Sequence, residues 1–346
     1  MPRVTRANLV QYLTMFYNKK HIALRTAYFF STAAISGALG GLVSFGVGQM
    51  DGIAGWSGWR WIILIIGIPT LLTGFVIPFV LPNSVETAKF LTDQDRRNMH
   101  LLRQAESGQT KSGQEMNKED FMEGVKDWKT YAFAFAHYCV NTVLYGFSVF
   151  LPTIIQQIGD WTPSEVQALT IPVYLLGAAT YIVCARISDR IAVRGYFVIG
   201  GLLTMMLGHI FLIANQGVGL SFAGCFLVAM GLYTGGGTAL SWLTSNTPRY
   251  GKRAFASGLQ LTIGNSAGVA APFLYQDIYA PTYLPGYGAT IGLLCLAVAL
   301  YSTLHIHFRV ANARRERGEE DWKREGKSSG ELEEMGSNSP DYRYQI

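Results

Sequence analysis

Two long stretches without a formal charge constrain this chain more than any other feature. No Asp, Glu, Lys or Arg occurs from Gly195 to Pro248, nor from Ile278 to His307. About 20 consecutive apolar residues cross a bilayer as a helix. The first stretch therefore has room for two crossings and a turn. Helices are the expected form, because backbone groups in lipid must find partners within their own segment. A β-barrel would show short segments of alternating polarity, and these runs are continuously apolar. Charged residues are 15% of the chain, against roughly 25% in soluble domains. The expected fold is all-α: a polytopic membrane protein of about eight transmembrane helices, over 25–48, 61–81, 131–155, 166–185, 196–213, 219–243, 254–275 and 287–308.

The basic residues sort to one side of these spans. Lys19 and Lys20 precede the first span, and a cluster from Lys89 to Lys129 follows the second. Arg186, Arg190 and Arg194 follow the fourth span, and Arg249, Lys252 and Arg253 follow the sixth. The intervening connections hold one basic residue, Arg60. Lys and Arg stay on the cytoplasmic side, so both termini are expected in the cytoplasm. Trp56, Trp59, Trp61, Trp161, Tyr279, Tyr283 and Tyr287 mark the outer interface, as aromatic belts do.

Five regions follow. Residues 1–24 read as the remnant of a preceding helix with a basic flank. Residues 25–81 hold two spans, 82–130 a charged central linker, and 131–308 six spans. Within the linker, LTDQDRRNMHLLRQA suggests a short helix with Thr92 as N-cap, and SGQTKSGQEMNKED reads as flexible. Residues 309–346 are dense in charges of both signs and read as a disordered cytoplasmic tail. Cys139, Cys184, Cys225 and Cys295 stand alone within spans, with no C-x-x-C pair, so no metal, redox cofactor or other cofactor is expected. The net charge of +5 is distributed around the spans, and no nucleic-acid partner is expected.

Two basic segments resemble each other. YNKKHIALRTAYFFSTAAISG and TPRYGKRAFASGLQLTIGNSAG each set a basic cluster before a helix rich in small residues. Such weak internal symmetry is a mark of transporter halves. The glycines of ISGALGGLVSFGVG suit close helix packing. GNSAG at 264–268 fits the G-x-S-x-G pattern of hydrolases, but that chemistry needs a strand–turn–helix. Here the pattern lies inside an apolar helix, so no enzyme is expected.

The loop ARISDRIAVRG, residues 185–195, resembles the cytoplasmic loop motif of the major facilitator superfamily. Asp189 and Arg190 match its acid–base pair and Arg194 its distal basic residue, while Ala192 stands where the motif carries glycine. The resemblance implies a gating role for Asp189, Arg190 and Arg194. GWSGWRWIILIIGIP, LPNSVETAKFLT, NTPRYGKRAFASGLQLTIGNSAGVAAPFLY and APTYLPGYG together resemble the anion:cation symporter family, relatives of allantoate and nicotinate permeases. That likeness implies twelve helices in a family member, so this chain reads as a facilitator fold lacking helices 1–4. It also implies proton-coupled symport of a small organic anion at the plasma membrane. The alternative is a non-transporting membrane protein that associates with or regulates a full-length relative.

Polar residues inside spans are costly and are candidates for a substrate pathway. His137, Asn141, Tyr145 and Ser148 fall on one face of a helix. Tyr233, Trp242 and Asn246 lie around and beyond a Gly-Gly-Gly stretch, and Gln260 and Asn265 occupy the seventh span. Aromatic and amide groups of this kind suit a small ring-bearing carboxylate. No Asp, Glu, Lys or Arg lies deep in any span, which leaves His137 as the titratable candidate.

Overall fold

The computed structural model describes residues 12, 13, 16, 17, 22–82, 84–104, 113, 116–214, 216–279 and 283–346. Lys19 and Lys20, most of the 1–24 segment and much of the flexible linker stretch lie outside the described residues.

Eleven α-helices are seen among the described residues: α1 Ile22–Gly48, α2 Gly58–Val80, α3 Asp93–Gln104, α4 Lys118–Lys126, α5 Trp128–Ile158, α6 Pro163–Ile191, α7 Gly195–Ala214, α8 Val218–Ser245, α9 Tyr250–Ala270, α10 Leu284–Glu316 and α11 Ser329–Glu334. There is no strand among them. Seven helices are long and apolar enough to cross a membrane: α1, α2, α5, α6, α7, α8 and α10. The remaining expected span, 254–275, forms α9, packed in the same bundle against α5. Lys252, Arg253, Gln260 and Asn265 make it too polar to meet that test by composition.

Helix ends follow local chemistry. Pro163 opens α6, and Thr162 and Glu165 form a reciprocal capping box. Asp127 caps α5 by accepting from Lys129 N at 3.1 Å. Thr92 caps α3 as expected, accepting from Asp95 N at 3.2 Å. The stretch expected to be flexible ends in structure, since Lys118, Glu119 and Asp120 open α4.

Helices α5 to α10 form one tight unit. Its tightest pair is α7 and α8, which approach at glycines. A methyl on Gly208 would lie 2.7 Å from Gly224 O and Val228 N. One on Gly201 would lie 2.7 Å from Gly235 N, and one on Gly231 would strike Gly201 O and Met205. Close backbone approach through small residues is how helices associate in lipid, where apolar bulk gives no advantage. Helix α1 joins this unit along a strip of small residues, Ala23, Ala27, Ser31, Ala34 and Ala38, that packs chiefly on α6. A methyl on Gly37 or Gly41 would meet Tyr174 or Gln167 of α6, whereas one on Gly40, Gly46 or Gly48 would meet nothing within 4 Å. Helix α2 packs on α1 and buries only Gly58.

The tail differs from expectation. Residues 309–346 are folded, not disordered: α10 continues to Glu316, α11 carries its own capping box at Ser328 and Glu331, and Tyr342 and Tyr344 are buried. Composition misleads here because the tail is held through its backbone, by Asn246 at the end of α8 and by Asn312 and Arg315 in the last turns of α10.

Candidate functional site

Two features bring together the polar residues singled out in the sequence: a buried ion pair at the basic end of the helices, and a cavity between α1 and the six-helix unit.

The ion pair is built by a tight turn. Helix α6 ends at Ala192 in the left-handed region, with φ 55°. This conformation favours glycine, which explains why the motif usually has one there. The turn returns Arg194 to Asp189, with Nη2 donating to Oδ1 at 3.2 Å. Both side chains are buried. Burial lowers the Arg194 guanidinium to about 10, opposed by Asp189 and Tyr181, so it remains charged at neutral pH. Asp189 also accepts from Ala23 N at 3.3 Å and from Leu24 N at 2.8 Å. These are first-turn amides of α1, which have no intrahelical acceptor and carry the positive end of the helix dipole. Asp189 therefore ties α1 to α6 and to Arg194. The expected partner Arg190 is exposed instead. Neighbouring helical residues point about 100° apart, so Arg190 faces away when Asp189 faces α1.

The cavity measures about 650 Å³. His137, Asn141, Tyr145 and Ser148 of α5 all line it, as their shared helical face predicted. Tyr233 of α8 and Asn265 of α9 also line it. Tyr145 Oη donates to Asn265 Oδ1 at 2.9 Å, joining α5 to α9. The missing side chain of Gly264 lets α9 close on His137 and Asn141; a methyl there would lie 3.2 Å from Asn141 Nδ2. His137 is buried, and its Nδ1 has no hydrogen-bond partner among the described residues. Among the described residues, no Asp, Glu, Lys or Arg lines the cavity.

Sequence reasoning missed part of the wall. Gln167, Thr170 and Tyr174 of α6 and Phe30 of α1 also line the cavity. The periodicity of Gln167, Thr170 and Tyr174 along one helical face was the available signal. Tyr174 Oη donates to Ser148 O at 3.3 Å.

Residues 4–272 match the family model described as Major Facilitator Superfamily. The chain belongs to the major facilitator superfamily. An uncharacterized transporter of Schizosaccharomyces pombe is 38% identical over 86% of this chain and 58% of its own length. A second from the same yeast is 30% identical over 97% of this chain and 66% of its own. The high-affinity nicotinic acid transporter of Saccharomyces cerevisiae is 30% identical over 83% of this chain and 53% of its own. The chain spans about three fifths of the length of the curated relatives it matches. It is an integral membrane protein of this superfamily.

Three of the expected pathway residues of this facilitator lie elsewhere. Trp242 is fully buried at the basic end, in an aromatic cluster with Phe133 at 5.3 Å and Phe308 at 5.7 Å between ring centroids. Its Nε1 donates to Gln345 O at 2.8 Å. Asn246 pairs with the backbone of the same residue. Both follow the end of the Gly-Gly-Gly stretch by more than one turn, which carries them below the cavity. Gln260 is fully buried, one turn from Gly264, and does not line the cavity. Neither atom of its amide has a partner among the described residues.

Proposed function

We propose that this chain carries the substrate cavity of a proton-coupled symporter for a small organic anion, a nicotinate- or allantoate-type carboxylate. The cavity carries the reading. It is walled by amides, phenols and one imidazole, on a chain 30% identical to a nicotinic acid transporter. Amide N–H groups of Asn141, Gln167 and Asn265 supply donors for a carboxylate, and Tyr145 orients the Asn265 amide by donating to its Oδ1. Tyr174 and Tyr233 supply ring faces. Among the described residues the wall holds no acidic side chain to attract an organic cation. His137 is the imidazole among the described residues of the wall and is the proposed carrier of the coupled proton.

In this reading the basic end faces the cytoplasm, both termini included, and the protein resides in the plasma membrane. Asp189 and Arg194 form the gate: closure of α1 onto α6 at that end leaves the cavity to be entered from the other side. Arg190 serves as a cytoplasmic anchor.

The test is binding of labelled nicotinate to the purified chain in nanodiscs, with proton-driven uptake measured in proteoliposomes. Asn141→Ala is expected to weaken binding by about tenfold, the cost of one lost charge-assisted hydrogen bond. Uptake is expected to rise as external pH falls, and His137→Ala to flatten that dependence. Preference for a neutral sugar or an organic cation would overturn the substrate class.

A further inference from the structure

The base of the six-helix unit holds an extended peptide. Residues Tyr342–Ile346 run between the ends of α8 and α10, and two asparagines grip consecutive residues. Asn312 Nδ2 donates to Tyr344 O at 2.8 Å, while Tyr344 N donates to Asn312 Oδ1 at 2.9 Å. Asn246 repeats the arrangement on the next residue: its Nδ2 donates to Gln345 O at 2.9 Å, and Gln345 N donates to its Oδ1 at 2.7 Å. In an extended chain, the N–H and C=O of one residue point to one side and those of the next to the other. Two amides on different helices therefore clamp the segment from opposite sides, each reading the backbone as a neighbouring strand would.

Side chains add selectivity. The Tyr344 ring stacks on Phe308 at 4.5 Å and lies 5.0 Å from the Arg315 guanidinium carbon. Arg315 Nη1 donates to Tyr342 O at 2.8 Å, and Tyr342 Oη donates to Ser245 O at 3.1 Å. The end of the segment reaches the loop after α6, where Arg194 N donates to the Ile346 oxygen at 2.6 Å. Arg194 is the residue whose guanidinium holds Asp189, and Asp189 holds the first turn of α1. Peptide, Arg194, Asp189 and α1 thus form one continuous chain of contacts.

We propose that this base is a binding groove for an extended peptide, that its occupant is the chain's own segment Tyr342–Ile346, and that seating the segment braces the Asp189 contact with α1. The groove reads one residue's backbone from α8, the next from α10, and an aromatic ring between Phe308 and Arg315. Its coupling to α1 rests on the gate reading of Asp189 given above. Release of the segment frees Arg194 N and loosens the hold on Asp189.

Backbone hydrogen exchange on the full chain in nanodiscs reads both ends of this linkage at once. In the wild type, the amides of Tyr344 and Gln345 are expected to exchange at least about 100-fold more slowly than in an unstructured peptide. Tyr344→Ala removes the stack on Phe308 and is expected to speed the Gln345 amide by about tenfold or more. The amides of Ala23 and Leu24 are expected to speed up with it. Tyr344→Phe, which keeps the ring, is expected to stay slow. Gln345→Pro, which deletes the N–H offered to Asn246, is expected to speed the Tyr344, Ala23 and Leu24 amides. Wild-type tail amides that exchange freely would overturn the groove. Released tail amides with unchanged Ala23 and Leu24 would overturn the coupling. Asp189→Asn separates the two readings: if it leaves Ala23 and Leu24 unchanged, the gate reading fails whatever the tail does.

Discussion

Helices α2 and α8 are both apolar and both long enough to cross a membrane, yet they are buried to opposite degrees. Helix α2 is the most apolar of the candidate spans and buries only Gly58. Its Phe75, Phe79 and Val80 lie open. Helix α8 is less apolar, and from Thr234 to Ser245 every residue is buried. In water this order would be reversed. In a bilayer an Ile gains little by moving from lipid to protein, so bulk apolar residues face outward. Small and hydroxylated residues recruit a helix inward: Gly231, Gly235, Thr238 and Ser241 do so in α8, and Ala27, Ser31 and Ala34 do so along one strip of α1.

The sharpest way to break this contrast is to add bulk at the α7–α8 contact. Gly231→Val would drive carbon atoms into Gly201 O and the Met205 backbone. Backbone cannot step aside as a side chain can, so we expect a loss of about 3 kcal/mol or more, read as a lowered thermal midpoint in detergent. A midpoint equal to wild type would mean that the two backbones do not touch. Next comes the tie between the regions. Asp189→Asn leaves the buried Arg194 without its counter-charge and weakens the hold on Ala23 N and Leu24 N. A loss of about 3 kcal/mol is expected, together with faster proteolysis near the start of α1. Unchanged stability and digestion would make α1 independent of the ion pair.

Ala192→Gly should move stability the other way. A left-handed Ala costs about 1 kcal/mol, and glycine relieves most of it, so the midpoint should rise. A fall would place the turn outside the left-handed region. The smallest effect belongs to α2. A methyl on Gly74 meets nothing within 4 Å, so Gly74→Leu should change stability by less than about 0.5 kcal/mol. A large loss there would reveal a partner against α2.

The helices were legible because lipid demands long apolar runs. The expected span 196–213 became Gly195–Ala214, and 219–243 became Val218–Ser245. The α5 wall of the cavity was also legible, since His137, Asn141, Tyr145 and Ser148 share a face whatever surrounds it. Which way α8 turns its polar residues was not. Trp242 and Asn246 look like pathway residues until the tail supplies partners from Gln345, about a hundred residues away. Such pairings have no local signature. Nor does a charged segment announce that it folds when its anchors are an asparagine at the end of α8 and another in the last turns of α10.

The glycine contacts between α7 and α8 also have a mechanical meaning. Two strips glued along their length resist bending far more than two strips laid side by side. Gly201, Gly208, Gly224 and Gly231 bring backbone atoms of one helix directly against those of the other. The pair behaves as a laminated beam about 30 Å long. A displacement applied beside Arg194 reaches the far turn at Gly217 with little lost on the way.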